Sequence, residues 1–121
     1  RGLPPTCDFS GEWIRAALEV DGPQAALEAS QAIWERRCAA APGVRGAWAW
    51  AKLEAGDFDG AMELLTPMPA RCTSHLALPM TTLLLRAEQT AKAEQCASEA
   101  GIPFAPLQAR AEKLLRIVDP Q

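Results

Sequence analysis

The sequence predicts an all-α protein built from antiparallel helical hairpins, and three observations carry that expectation. Val44, Ala47, Trp48, Ala51 and Ala55 fall at i, i+3, i+4, i+7 and i+11, and Phe58, Ala61, Met62 and Leu65 resume the same spacing. Gly56-Asp57 interrupts the two runs, so each reads as a helix with one apolar stripe, folded stripe to stripe across a tight turn. The third observation is self-similarity. A displacement of 35 residues lays Trp13 on Trp48, Ala16 on Ala51, Leu18 on Leu53, Glu19 on Glu54, Ala26 on Ala61 and Glu28 on Glu63. It also lays the turn Asp21-Gly22-Pro23 over Gly56-Asp57-Phe58, an independent signal in the same register.

Taken in order, Arg1 to Thr6 with Pro4 and Pro5 reads as an extended lead-in. Ser10 suits an N-cap, and Phe9, Trp13, Ala16, Ala17 and Val20 continue one face up to Asp21-Gly22. Pro23 suits the first turn of a second helix, carried to about Ala39 on Ala26, Ala29, Ile33 and Arg37 with the flanking Leu27, Trp34 and Cys38. Ala41-Pro42-Gly43 closes this unit, about 9–41, and the central hairpin forms the next, about 44–70. In the latter, Gly56 suits a left-handed helix end, Asp57 can cap the following helix, and Ala61 permits close approach of two backbones. Pro67 and Pro69 make a linker that cannot continue helix. A third unit, 74–101, is degenerate: Pro79 opens a helix at its first turn, but the displaced turn falls on Gln89-Thr90-Ala91, without Gly or Pro. Thr81 to Ala100 could therefore run as one long helix. Gly101-Ile102-Pro103 is a stop, and Leu107, Ala111, Leu114, Leu115 and Val118 give a last amphipathic helix over 105–118. Such a helix would cover the apolar end of a stacked array.

Gly56-Asp57-Phe58-Asp59-Gly60-Ala61 resembles the middle of a tetratricopeptide repeat (TPR), in which a Gly-Asp-aromatic turn precedes a helix beginning with a small Ala. The 35-residue displacement is close to that family's period of about 34. Lys52 stands roughly where the family has a large aromatic, and the proline usual after the second helix is displaced to Pro67 and Pro69. The resemblance implies a short right-handed TPR-like array with a C-terminal capping helix, binding an extended peptide or a partner protein through a concave groove. It places the groove positions on Arg15 and Glu19 in the first unit, Trp50 and Glu54 in the second, and Thr81, Leu85 and Glu88 in the third. Trp50 admits two roles. Trp48 already fills the core position of its helix and a residue two further on faces elsewhere, so Trp50 either anchors a partner or packs against an adjacent unit.

Composition narrows the function classes. A chain of 121 residues buries roughly two thirds of its extended surface as one core. Its formal charge of -3 argues against a nucleic-acid surface, which draws its affinity from clustered Lys and Arg. Arg110, Lys113 and Arg116 form a short basic face that reads as solvated charge near a helix C-terminus. No apolar run approaches the length of a membrane span.

Cys7, Cys38, Cys72 and Cys96 are an even set with no Cys-x-x-Cys pair, a pattern of two disulfides in an oxidising compartment, periplasmic or extracellular. A cytoplasmic protein with four thiols is the alternative. Hairpin geometry brings Cys7 beside Cys38 and leaves Cys72 for Cys96, with Cys38 to Cys72 as the rival. Cys72-Thr-Ser-His75 has the spacing of half a zinc site, which Cys38 and Cys96 could complete; disulfides are preferred and no metal or cofactor is expected. One His, scattered carboxylates and oxidised cysteines assemble no catalytic set, and no Gly-rich phosphate loop appears, so no enzymatic activity is expected. The expectation is an adaptor or assembly factor of a bacterial envelope. The alternative is a small exported, disulfide-stapled helical protein acting as effector, inhibitor or accessory subunit through another face.

Overall fold

Residues 10–35, 43–65 and 72–119, apart from the side chains of Ser10 and Glu35, are described by a computed structural model. They form helices α1 (Ser10–Asp21), α2 (Pro23–Glu35), α3 (Val44–Glu54), α4 (Phe58–Leu65), α5 (Ala77–Arg86), α6 (Thr90–Ala100) and α7 (Phe104–Val118), with no strand among the described residues. The lead-in, Phe9, the ends of the first two units and the Pro67-Pro69 linker lie outside them, as do Cys7 and Cys38. No helix of the described residues is long and apolar enough to cross a membrane.

The turn between α3 and α4 shows how local chemistry sets the hairpins. Gly56 takes φ 81°, which lets the Asp57 N–H reach back to the Lys52 carbonyl at 2.8 Å. Asp57 Oδ1 then accepts the Gly60 N–H at 2.9 Å, capping α4, while Lys52 Nζ sits 3.4 Å from Oδ2. The bond from Gly60, helped by Lys52 and opposed by partial burial, holds the Asp57 carboxyl below its usual pKa.

The third unit is a hairpin and not one long helix. Glu88 adopts φ 60°, and the Gln89 N–H bonds to the Leu84 carbonyl at 2.8 Å, the same backbone solution without glycine. The turn residues explain why a uniform displacement of 35 overshoots: Gly22 and Gly56 are 34 apart, whereas Gly56 and Glu88 are 32 apart. Pro79 occupies the first turn of α5, where its missing N–H leaves no bond unmade.

Each odd helix packs on its following even helix as a hairpin, α1 with α2, α3 with α4 and α5 with α6. The odd helices also lie side by side, α1 on α3, α3 on α5 and α5 on α7, and each even helix packs on the next odd one. Three apolar clusters follow this order. Ile14, Ala17, Ala26, Ile33, Val44, Ala47 and Ala51 join α1, α2 and α3. Leu53, Ala61, Leu65, Leu76, Leu83 and Leu114 join α3, α4, α5 and α7, and Ala77, Ala97 and Leu107 join α5, α6 and α7. At the far end Arg86 stacks its guanidinium 4.0 Å from the centre of the Phe58 ring and pairs with Asp119 at 3.0 Å, tying α4, α5 and α7 together.

Several expected faces are rotated. In α1 the buried side chains are Ile14 and Ala17, with Ala16 and Val20 exposed, because α2 and α3 both approach from the Ile14 side. In α2 Trp34 is largely exposed, with its ring edge-on to Trp48 at 5.3 Å between centres. Met62 in α4 and Ala55 after α3 also face solvent.

Candidate functional site

Because α1 touches α3 but neither α5 nor α7, the space above α3 stays open between α1 on one side and α5 with α7 on the other. It is a cleft of about 560 Å³, within the roughly 300–1,000 Å³ of ligand pockets in general. α1 supplies Arg15, Leu18 and Glu19, which recur at i, i+3 and i+4 on one helical face. Gly46, Ala47, Trp50 and Glu54 of α3 form the floor. The far wall is Ser74, His75, Leu78 and Pro79 at the start of α5, with Ile102, Leu107 and Arg110 at the start of α7.

Two devices fix the far wall. A Cβ on Gly46 would run into the backbone carbonyl oxygen of His75, so only glycine lets the segment entering α5 lie directly on α3. Behind it, Cys72 is bonded to Cys96 of α6 with Cα atoms 5.2 Å apart, and its N–H donates to Glu99 Oε1 at 3.1 Å. The rival bond of Cys38 to Cys72 is therefore not formed, and Cys72 has no thiolate to offer a zinc ion. Among the described residues no group of three or more His, Cys, Asp or Glu side chains is placed to hold a metal.

The electrostatics are uneven. Arg15 and Glu19 are exposed and make no ion pair among the described residues. Glu54 is half-buried, and the loss of water raises its pKa, partly offset by the Arg110 charge. Arg110 lies 5.5 Å from the centre of the Trp50 ring, so the α3 floor and the α7 side of the wall meet at this pair. Arg15 Nη2 and His75 Nδ1 both lie within 4 Å of the point where a Cβ on Gly43 would sit, at the opening turn of α3.

Arg15, Glu19, Trp50 and Glu54 thus share one cleft. Trp50 is only 9% exposed and packs in the apolar cluster of α3, α4, α5 and α7, so packing against the next unit is its observed role and its outer edge forms the floor. The third-unit positions do not line the cleft. Thr81 is fully buried, Leu85 is half-buried near the end of α5, and Glu88 is the left-handed turn residue. α5 instead contributes Leu78 and Pro79, about one turn earlier, so the cleft reaches only the start of that helix. Arg110, whose spacing with Lys113 and Arg116 suggested solvated charge alone, belongs to the cleft, and only the docking of α7 on α5 puts it there. His75 had a sequence signal as a companion of Cys72, but its place is the wall.

No protein-family model, curated protein or solved structure matches this chain.

Proposed function

We propose that the protein acts by contact, without catalysis, as a small disulfide-stapled helical protein of the cell envelope or exterior that binds another polypeptide. The single observation that carries the binding surface is the cleft over α3, where Arg15 and Glu19 of α1, unpaired among the described residues, face a mixed wall in which Leu78, Pro79, Ile102 and Leu107 are the apolar members. What supports the TPR reading is the packing order, in which odd helices stack side by side and each even helix packs on the next odd one. The Cys72–Cys96 bond supports an oxidising compartment.

A second reading places the contact on another face, with the helical array serving only as a scaffold for an effector, inhibitor or accessory subunit. It is favoured by Val20, Trp34, Met62 and Ile117, which are large, apolar and exposed, and none of which lines the cleft. Photo-crosslinking in the source cell separates the two. A photoreactive residue replacing Ser74, which is exposed and lines the cleft, is expected to give a discrete adduct, and one replacing Trp34 or Ile117 is not. Adducts from position 34 or 117 alone would move the binding surface off the cleft, and adducts from no position would reject the binding role.

A further inference from the structure

We propose that the cleft selects an extended peptide carrying one acidic and one basic side chain two residues apart with an apolar residue between them, the acid on Arg15 and the base on Glu19. This rests on the cleft being the binding surface. Arg15 and Glu19 are successive turns of one exposed face of α1, with Cβ atoms about 5–6 Å apart. Side chains i and i+2 of an extended chain point the same way and are separated by about 6.6 Å. A peptide lying along α1 therefore presents two side chains to Arg15 and Glu19 in near register, and turns the residue between them to the opposite wall.

That wall offers the middle residue the apolar side chains of Leu78, Pro79, Ile102 and Leu107. The other two charges in the cleft, Glu54 and Arg110, are opposite in sign and close enough for the Arg110 charge to lower the Glu54 pKa, so they largely offset each other. Arg110 also lies 5.5 Å from the centre of the Trp50 ring, and His75 sits near the opening turn of α3, on the Arg15 side. The Arg15 side of the cleft therefore favours an anionic group and the Glu19 side a cationic one. Both α1 charges lack partners among the described residues, so a matched peptide pairs them and a mismatched one sets like charges together.

The test is an array of hexapeptides holding acid-apolar-base, base-apolar-acid, acid-apolar-acid and base-apolar-base triplets, probed with the full chain. One mixed order, fixed by the direction in which the peptide lies, is expected to bind at least about tenfold better than the like-charged triplets. The double variant Arg15→Glu/Glu19→Arg is expected to prefer the opposite mixed order, with an unchanged thermal midpoint because both side chains are exposed. Peptides that bind without charge order, or an order that survives the double swap, overturn the charge register while leaving the cleft in place if a crosslinker at position 74 still captures them. Binding of no peptide, together with no adduct from position 74, overturns both the register and the cleft reading.

Discussion

At the residue scale, two side chains inside the fold are at odds with their surroundings, and each gives a measurable consequence. Glu54 holds its proton to higher pH in the folded state than in the unfolded chain, where a glutamate titrates near about 4.3. Between those two values the folded state binds more protons, so stability falls as pH rises through the window and stays lower above it. Glu54→Gln is expected to flatten that stretch of the stability profile and to raise the urea midpoint at neutral pH. A lower midpoint would mean that attraction to Arg110 outweighs burial. Thr81 presents a different conflict: its hydroxyl is buried without a hydrogen-bond partner among the described residues, whereas its neighbour Thr82 donates to the Leu78 carbonyl at 2.8 Å. Thr81→Val keeps the shape and removes the unpaired group, with an expected gain on the order of 1 kcal/mol. A loss in chemical denaturation would show that the hydroxyl finds a partner in solution.

At the element scale, the positions of α3 and α5 depend on the absence of one methyl group. The His75 carbonyl belongs to the backbone and cannot swing aside, so Gly46→Ala must push the entry of α5 off α3. The expected loss is about 1–3 kcal/mol, the range of overpacked interiors, read as a lower thermal midpoint. Near-ultraviolet circular dichroism should change with it, because Trp50 lies on the same face of α3 one turn away. An alanine accepted without loss would place the α5 entry farther from α3. The hairpin turns show the same principle from the other side. Asp57 and Gly56 solve one turn with a cap and a left-handed glycine, while Glu88 reaches a similar conformation that non-glycine residues seldom adopt.

At the scale of the whole molecule, the Cys72–Cys96 bond links the α5 entry to α6 across 24 residues of chain. Its main effect falls on the unfolded chain, whose freedom it removes. Replacing both residues by serine is expected to lower unfolding free energy by roughly 3 kcal/mol, measured by urea denaturation. An unchanged midpoint would mean that the unfolded chain already keeps those segments close. Binding should weaken in the same variant even where the protein is fully folded, because the bond also anchors Ser74 and His75 in the cleft wall.

From the sequence alone follow the all-helical class, the ends of α1, α3 and α7 to within a residue or so, and the spacing that puts Arg15 with Glu19 on one face of α1 and Trp50 with Glu54 on one face of α3. These are local matters: capping, helix-stopping residues and the spacing of side chains on one helix follow from neighbours in the chain. The sequence did not determine which side of α1 faced inward, that Thr81 was interior, that Glu88 made a turn without glycine, or that Arg110 joined the cleft. Those features depend on contacts between helices distant in sequence, where α3 is packed on several sides and an apolar stripe no longer marks a single buried face. Tertiary structure decided them because the rotation of each helix is set by the partner it packs against, and that partner is not written within the helix.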